Sequence, residues 1–514
     1  MRKKIKEAKG ITLVALVITI IILLILAGVA LSLVIGENGL IAKSKEGVEK
    51  YKDKAKAEQW QLEDIEAGME KIDLAELKDE EEHPELKQMK LLLNITEDNK
   101  IINLPIYPYS DEYKYDCTVN WGDGAKQQVT NENAKTTKHT YGNTGEYTLV
   151  IEGTCESLYY NDKSIQMALK KVEQWGMTGL KKIDLGGCEN LEEIAEPSKN
   201  SFANMLSFGW TLAGCSNLTS IPEKLFANCP NVTSFSDTFM GCSSITGIPE
   251  KLFVNSSNAI EFIGTFAGCS SITNIPERLF ANCSNVTDFS GTFANNSSIT
   301  SIPERLFVNS SNVTDFRGTF NGCGNITSIP ERLFVNSSNV TDFRGTFNGC
   351  SNITSIPERL FANCPNVTDF RDTFGGGSSI TSIPERLFVN CSNVMYFDGV
   401  FSDCTSITSI PEKIFVNCPN VTDFSYTFAG CSSITSIPER LFANCPNVTS
   451  FIATFAECTS LTGKSIQLWN EEQRQEKGIT ENSGGEACYY MCEKLEDYSQ
   501  IPNYWKKSPP QILQ

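Results

Sequence analysis

Hydrophobic residues in the second half of the chain recur at short, uneven intervals. Between Ser432 and Cys458, successive apolar positions are separated by 3, 5, 3, 3, 3, 4 and 3 residues. An amphipathic helix would show a period of about 3.6 residues, and a half-buried strand would alternate with a period of about 2. The spacing matches neither. It predicts a coil that turns inward at about every third residue and buries one ring of side chains per turn.

The same pattern repeats without insertion or deletion. The tripeptide Ile-Pro-Glu occurs nine times, each copy 27 residues after the last, at Ile221, Ile248, Ile275, Ile302, Ile329, Ile356, Ile383, Ile410 and Ile437. Such a period is typical of a solenoid, in which like residues of neighbouring coils stack about 4.8 Å apart. Each repeat contains a degenerate half-repeat, apolar-Thr-x-apolar, so we expect two short extended segments per coil, joined by turns rich in Asn, Gly, Ser and Pro.

Different patterns precede the solenoid. Residues 1–10 form a basic leader, and residues 11–36 form an apolar run long enough to span a bilayer as a helix. The basic flank places the N-terminus inside the cell and the bulk of the chain outside. Residues 37–87 are highly charged, which predicts a helical stalk or linker. In residues 88–160, apolar and polar residues alternate, which predicts a small β-sandwich.

The leader ends in Lys9-Gly10, directly before Ile11. This arrangement resembles a type IV prepilin leader, which implies cleavage between Gly10 and Ile11. That family usually has a glutamate at the fifth mature position, where this chain has Ala15. An uncut signal anchor is the alternative.

Residues 121–124 read Trp-Gly-Asp-Gly, and His139-Thr140-Tyr141 and Gly145-x-Tyr147 follow. This spacing resembles the PKD-type β-sandwich. From the residues themselves, we expect Asp123 to serve a tight turn, with cation binding as the alternative. We expect His139 to be structural.

The repeat pattern V-T-x-F-x-x-T-F-x-G-C-S-S-I-T-S-I-P closely resembles the BspA-like leucine-rich repeats of bacterial surface proteins. The resemblance implies a mainly β chain with about ten coils over residues 194–463. Residues 161–193 would then be the N-terminal cap and residues 464–514 the C-terminal cap. BspA-like proteins are associated with adhesion to host or matrix proteins and to other bacteria.

Most of the nineteen cysteines fall in two columns of the repeat. Single small residues replace cysteine in these columns, such as Asn296 and Gly377, whereas bridged cysteines would be lost in pairs. We therefore expect buried free thiols. Four cysteines lie outside the columns: Cys117, Cys155, Cys488 and Cys492. The sequence does not decide whether Cys117 and Cys155 form a disulfide. Zinc binding by Cys488 and Cys492 would lack a second pair of ligands.

The net charge of −18 argues against a nucleic-acid partner, because phosphate binding needs a basic surface. The chain has only two histidines, which excludes a multi-histidine metal site. Glutamate occupies one column of all nine repeats, from Glu223 to Glu439, and lysine or arginine occupies the next, from Lys224 to Arg440. We interpret the two columns as a self-neutralising edge, with a binding stripe as the alternative. No catalytic residues, cofactor or metal ligands are predicted.

The two positions after the half-repeat phenylalanine vary from coil to coil. Variable exposed positions could carry binding specificity, and sequence drift would explain them equally well. The predicted partner-binding strip consists of Ser236, Asp237, Ile263, Arg317, Arg344, Arg371, Asp398, Tyr426 and Ile452.

The favoured hypothesis is a non-enzymatic, single-pass cell-membrane protein with its bulk outside the cell. Its solenoid would bind a protein or glycan on host, matrix or neighbouring bacteria. The alternative is a pilin-like subunit or pilus-tip adhesin processed after Gly10.

Overall fold

The computed structural model describes residues 52, 55–56, 59–60, 77–79, 81–104, 106, 113–159, 162–469 and 484–508. The predicted leader, membrane helix and most of the stalk lie outside these ranges. No helix among the described residues is long and apolar enough to cross a membrane. The chain divides into two units, residues 1–59 and 60–514. The described residues of the first unit, 52, 55, 56 and 59, are helical.

The second unit begins with a small β-domain. Its strands are β1 Met89–Ile95, β2 Ile101–Asn103, β3 Tyr115–Asn120, β4 Lys126–Thr130, β5 Lys138–Thr140, β6 Gly145–Cys155, β7 Ser157–Tyr159, β8 Leu169–Gln174, β9 Lys182–Asp184 and β10 Glu193–Ile194. Helix α1 spans Lys163–Ala168, and helix α2, near the chain end, spans Asn503–Lys506. Short 3-10 helices span Pro84–Lys87, Glu97–Asn99, Ala134–Thr136 and Tyr498–Gln500.

Six strands form the main sheet, in the order β10-β8-β1-β6-β3-β4. In β1 the residues Met89, Leu91, Leu93 and Ile95 are buried and alternate with more exposed ones, as period-2 patterning requires. Strands β2 and β5 pair separately, as do β7 and β9. The alternating pattern thus predicted the strands of this region correctly.

The main sheet runs across the predicted boundary at residue 160. Strand β8, which we had assigned to the N-terminal cap, pairs with β1, and β10 pairs in parallel with β8 through Ile194 and Val172. One hydrophobic core extends from Met89 to Trp505. The β-domain and the first coil therefore share a sheet and a core, and a chain cut near residue 160 would lose β8, one of the two partner strands of β1.

The described end of the predicted stalk is not α-helical. Residues 77–79 and 81–87 contain turns and one 3-10 helix. Lys199 lies against this segment: its Nζ is 3.1 Å from Asp79, and its backbone N–H donates to the Lys78 carbonyl. Met177 donates in the same way to Lys87. These contacts fix the described residues of this segment against the folded unit.

The solenoid has one parallel β-bridge per coil in the part of the chain that the structure describes. The bridges join residues 27 apart: Ser207, Ser234, Glu261, Asp288, Asp315, Asp342, Asp369, Tyr396, Asp423 and Ser450. We expected two extended segments per coil. From Ile221 onward, the second segment forms no bridge among the described residues and keeps only single backbone bonds, such as Thr327 to Thr300 at 3.3 Å. A proline in every copy of this segment removes a backbone donor, which disfavours a ladder there.

Three columns of phenylalanine fill the solenoid. Rings of one column stack on the next coil, as Phe316 does on Phe343 at 5.8 Å between centroids. Rings of adjacent columns tilt together, as Phe316 and Phe334 do at 4.9 Å. Each such side chain is buried, and burial of a phenylalanine contributes about 1.5–3 kcal/mol. Each coil therefore gains most of its stability from its neighbours.

The cysteines are free and buried, as the columns predicted. The first cysteine column consists of Cys188, Cys215, Cys242, Cys269, Cys323, Cys350, Cys404, Cys431 and Cys458. From Cys215 onward its thiols point at backbone carbonyls thirty residues earlier, as Cys323 Sγ does at Phe293 O at 3.0 Å. Asn296 replaces cysteine and keeps the bond, with its Nδ2 2.8 Å from Phe266 O. Single replacement is thus possible because no residue of the column is a disulfide partner of another, and Gly377 fills its place without a side-chain donor.

The C-terminal residues close the solenoid with a last, longer coil. The backbone N–H of Ala453 donates to the Glu486 carbonyl, and that of Phe455 donates to the Cys488 carbonyl. Cys492 Sγ lies 3.0 Å from Phe455 O, so this residue belongs to the first cysteine column in space. We had placed it outside the columns because it follows Cys458 by 34 residues instead of 27. Trp505 of α2 then stacks on Tyr489 and covers the end of the core.

Candidate binding surface

The variable pair of positions lies directly after the bridged segment of each coil. Its second position has a left-handed backbone in every coil, for example φ 55° at Asp237, 53° at Asp372 and 56° at Tyr426. Glycine adopts this conformation without strain, and aspartate is more tolerant of it than most residues. Variation in this column is therefore limited by the backbone, which the sequence pattern did not reveal.

The first position of the pair carries arginine in three consecutive coils. Arg344 Nη2 lies 2.7 Å from Asp342 Oδ2 in its own coil, and its Nε lies 3.4 Å from Asp369 Oδ2 in the next. Arg317 repeats the arrangement, at 2.7 Å from Asp315 and 3.6 Å from Asp342. We call these residues the aspartate–arginine strip: Asp315, Arg317, Asp342, Arg344, Asp369 and Arg371.

The strip follows from the local geometry. Residues two apart on an extended segment point to the same face, so each arginine lies beside the aspartate two residues before it. The bridge brings the next aspartate alongside. An uncompensated column of carboxylates at strand spacing would repel itself. The arginines offset that repulsion, and their hydrogen bonds to Asp342 and Asp369 raise the pKa of Arg344 and Arg371.

The side chains of these arginines remain more exposed than those of their aspartates. The side chains of Arg317, Arg344 and Arg371 are 44%, 36% and 38% exposed, whereas that of Asp369 is 8% exposed. Each guanidinium is thus held in place by carboxylates beneath it while part of its surface faces solvent. Arg371 also lies over the Tyr396 ring, at 5.0 Å from the centroid.

The character of the surface changes after Arg371. Asp398 takes the arginine position in the next coil and lies near Asp423 of the following one. Burial, and then the neighbouring charge of Asp423, raise the pKa of Asp398 to about 7. Its Oδ2 is buried without a hydrogen-bond partner in the structure. The coil that follows the aspartate–arginine strip therefore carries a carboxyl group, that of Asp398, which titrates near neutral pH.

The other predicted strip residues are not equivalent. Ser236, Asp237 and Ile263 lie in earlier coils and are half-buried, and no arginine accompanies them. Tyr426 and Ile452 pack against a cluster of Ala453, Ala456 and Ala487, which the closing coil completes. The structure therefore gathers Arg317, Arg344, Arg371 and Asp398 into one surface and uses Tyr426 and Ile452 at the end of the solenoid.

The glutamate and arginine edge forms contacts between coils. Arg332 Nη1 lies 3.7 Å from Glu304 Oε1 of the preceding coil. This contact is in line with a self-neutralising edge.

In the β-domain, Asp123 has the predicted turn role. Its Oδ1 accepts from the Ala125 backbone N–H at 3.0 Å, and its Oδ2 lies 2.7 Å from His139 Nε2. His139 stacks on Trp121 at 5.0 Å between centroids, and Tyr141 donates to the Trp121 carbonyl at 2.8 Å. The histidine thus joins a structural cluster of aromatic rings.

A family model for BspA-type leucine-rich repeat regions, with six copies, matches residues 196–395 and 327–468. Together these ranges cover more than half of the chain. The chain belongs to the BspA-type leucine-rich repeat family.

Two solved structures are similar to this BspA-type chain at low identity. A leucine-rich cell surface protein from Faecalibacterium prausnitzii A2-165 is 18% identical, with 60% of this chain and 81% of that chain covered and a TM-score of 0.28. The TLR13–ssRNA13 complex is 10% identical, with 62% of this chain and 57% of that chain covered and a TM-score of 0.24. Likeness at this level carries no argument about ligands. No curated protein matches the sequence.

Sequence reasoning missed the aspartates of the BspA-type repeats. Asp315, Asp342 and Asp369 precede their arginines by two residues, a spacing that places both on one face of an extended segment. That spacing was visible in the sequence, but the column also holds Ser234, Glu261 and Tyr396, and we assigned it no role. The register between coils gives Arg317 and Arg344 a second carboxylate, and only the structure shows this register.

Proposed function

We propose that this protein is a membrane-anchored bacterial cell-surface scaffold whose solenoid binds a macromolecular partner through the aspartate–arginine strip. The observation that carries the proposal is the pairing of Arg344 with Asp342 and Asp369 while 36% of its side chain faces solvent. The partner is a protein or glycan on host, matrix or neighbouring bacterial surfaces.

Physical reasons favour arginines held in this way as binding groups. Arginine is enriched at protein interfaces and at their energetic centres. A flexible side chain that is ordered on binding costs about 0.5–1.5 kcal/mol, and a side chain already ordered by neighbours costs less. The guanidinium also recognises carboxylates in a fixed planar geometry and stacks on aromatic rings. Three such groups on consecutive coils form a rigid linear array.

The anchoring part of the proposal rests on residues outside the described ranges. The apolar run of residues 11–36 would span the membrane once, and the PKD-like β-domain would separate it from the solenoid. The alternative is a pilin-like subunit or pilus-tip adhesin, favoured by Lys9-Gly10 before Ile11. Mass spectrometry of the N-terminus distinguishes the two, because an uncut Gly10–Ile11 bond contradicts the pilin route.

We also infer that the scaffold is not an enzyme. Catalysis needs unlike groups at one point, whereas the repeat places similar carboxylates on each coil. Incubation of the purified chain with a panel of polysaccharides, peptides and esters tests this inference. Any turnover that survives in a heat-treated control would be a contaminant, and turnover lost with the fold would contradict the inference.

The binding proposal is tested on the full-length chain in detergent. The chain is applied to an array of collagens, laminin, mucin-type glycoproteins and defined glycans, in parallel with an R317S/R344S/R371S variant. Serine is the natural residue at this position in other coils, at Ser290 and Ser425, so the fold should persist. We expect the wild-type chain to bind at least one array probe and the variant to lose that binding. If the variant binds the same probe equally well, the binding surface lies elsewhere.

A further inference from the structure

A second surface lies where the β-domain joins the first coil. A shallow groove of about 580 Å³ opens there, a volume within the range of about 300–1,000 Å³ that is usual for ligand sites. Its lining includes Tyr159, Gln166, Lys182, Asp184, Gly187 and Trp210. None of these residues belongs to the aspartate–arginine strip.

Trp210 is the feature of the groove that the fold does not require. Its side chain is 53% exposed, and its backbone is left-handed with φ 64°, a conformation that is unfavourable for a bulky residue. The other coils have smaller residues or, once, tyrosine in this column: Asp237, Gly264, Gly291, Gly318, Gly345, Asp372, Gly399, Tyr426 and Ala453. Tyr426 is packed against the closing coil. A large ring that faces water on a strained backbone indicates a role outside packing.

The groove places polar groups around this ring. Lys182 and Asp184 lie two residues apart on β9 and share its face, and Lys182 Nζ is 4.9 Å from the centre of the Tyr159 ring. Asp184 Oδ1 accepts from the Gly186 N–H at 2.7 Å, and Gln166 Nε2 donates to the Gly186 carbonyl at 2.8 Å. The polar groups are thereby held in position beside the aromatic ones.

Glycines form the floor of the groove. Gly187 and Gly214 have φ 76° and 73°, and both line it. A Cβ at Gly187 would lie 3.0 Å from Gln166 Nε2, so a side chain there would press on the polar wall. The floor is therefore backbone, to which a ligand can approach closely.

We propose that this groove binds a neutral saccharide. The flat apolar face of a sugar ring would lie on the Trp210 indole, and its hydroxyl groups would bond to Asp184, Lys182 and Gln166. Aromatic side chains with one apolar face and polar neighbours suit a ligand that is itself both apolar and hydroxylated. A nucleobase would also stack, but the carboxylate in the groove and the net charge of −18 disfavour a phosphate backbone.

The experiment uses the full-length chain in detergent and follows indole fluorescence and heat of binding. The probes are cellohexaose, mannohexaose, chitohexaose and xylohexaose, with a thymidine decanucleotide and a tryptophan-containing peptide as the other ligand classes. We expect at least one oligosaccharide to bind, and W210G to weaken it by at least about tenfold, a loss of about 1.4 kcal/mol. D184N should weaken it as well.

Two variants serve as controls. D237G makes the change to glycine in the same column one coil away, outside the groove, and should bind as the wild type does. R317S/R344S/R371S should also leave saccharide binding unchanged, which separates this site from the strip. The proposal is contradicted if the wild type binds none of the oligosaccharides, if W210G binds them equally well, or if only the nucleotide or peptide binds through Trp210.

Discussion

The guanidinium of Arg344 bridges two coils of the solenoid, with its Nε 3.4 Å from Asp369 Oδ2 of the following coil. Arg344 also bonds to Asp342 in its own coil. One side chain therefore neutralises two stacked carboxylates and is fixed by both. The same contacts that reduce repulsion along the aspartate column hold an exposed cation in a single orientation.

Asp398 should make stability depend on pH. The folded-state pKa of this carboxyl is about 7, and its unfolded value is about 3.9. Between these values the folded chain binds more protons, so stability falls as pH rises from 5 to 8. Between pH 5 and pH 8 the wild type should lose on the order of 1–2 kcal/mol of unfolding free energy that D398N retains. Urea unfolding of both proteins at the two pH values measures this difference. Equal pH dependence in wild type and variant would contradict this assignment.

A side chain at Gly264 should be opposed by the aspartate one coil earlier. A Cβ at Gly264 would lie 2.1 Å from Asp237 Oδ1, whereas a Cβ at Gly291 would find nothing nearer than 3.9 Å. Both glycines have a left-handed backbone, so alanine at either costs about 1 kcal/mol. G264A should cost about 1 kcal/mol more than G291A, and D237G should remove the excess. The thermal midpoints of the three variants and the double variant measure this, and an equal loss in G264A and G291A would refute the contact.

The buried threonines form a hydroxyl column with one natural gap. Thr319 Oγ1 lies 3.1 Å from Phe289 O and 2.7 Å from Phe316 O, and Val400 occupies the corresponding position of its coil. T319V should cost about 1 kcal/mol, and V400T should be neutral or stabilising by up to about 1 kcal/mol. Urea unfolding of both variants tests the pair. A destabilising V400T would mean that the coil around Val400 has adapted to an apolar side chain.

Thiol labelling tests the cysteine assignment. All nineteen cysteines are free and buried, and burial raises the pKa of thiols such as Cys242 to about 12. At pH 8 the folded chain should react with maleimide very slowly, because the thiolate is the reactive form. In guanidinium without reductant, mass spectrometry should find nineteen adducts. Two fewer adducts, with Cys117 and Cys155 unlabelled, would instead show the disulfide that the sequence left open.

The sequence was sufficient for the solenoid because each coil is an independent copy of one packing solution. Spacing alone identified the buried phenylalanine and cysteine columns, since any residue that repeats at the same position must have the same environment. The ends follow no such rule. Cys492 enters its column after seven extra residues, and β8 joins β1 across the boundary that we had placed at residue 160.

The binding surface was only partly predictable for a related reason. Variation identified Arg317, Arg344 and Arg371, but it also selected Tyr426 and Ile452, which pack at the closing coil. Exposure depends on what covers a residue, and the covering segment is far away in sequence. The left-handed backbone of the second column was likewise hidden, although its frequent glycines were a signal.

The most direct test of the account compares two charge-matched variants. R317S/R344S/R371S removes the cations of the strip, and R332S/R359S/R386S removes three arginines from the glutamate and arginine edge. Circular dichroism first confirms that both variants fold. Surface plasmon resonance at equal salt then measures the affinity of each variant for the array probe that the full-length wild-type chain binds. The account predicts that the strip variant binds at least about tenfold more weakly and that the edge variant binds within about twofold of wild type. Unchanged binding by the strip variant, or loss only in the edge variant, would contradict it.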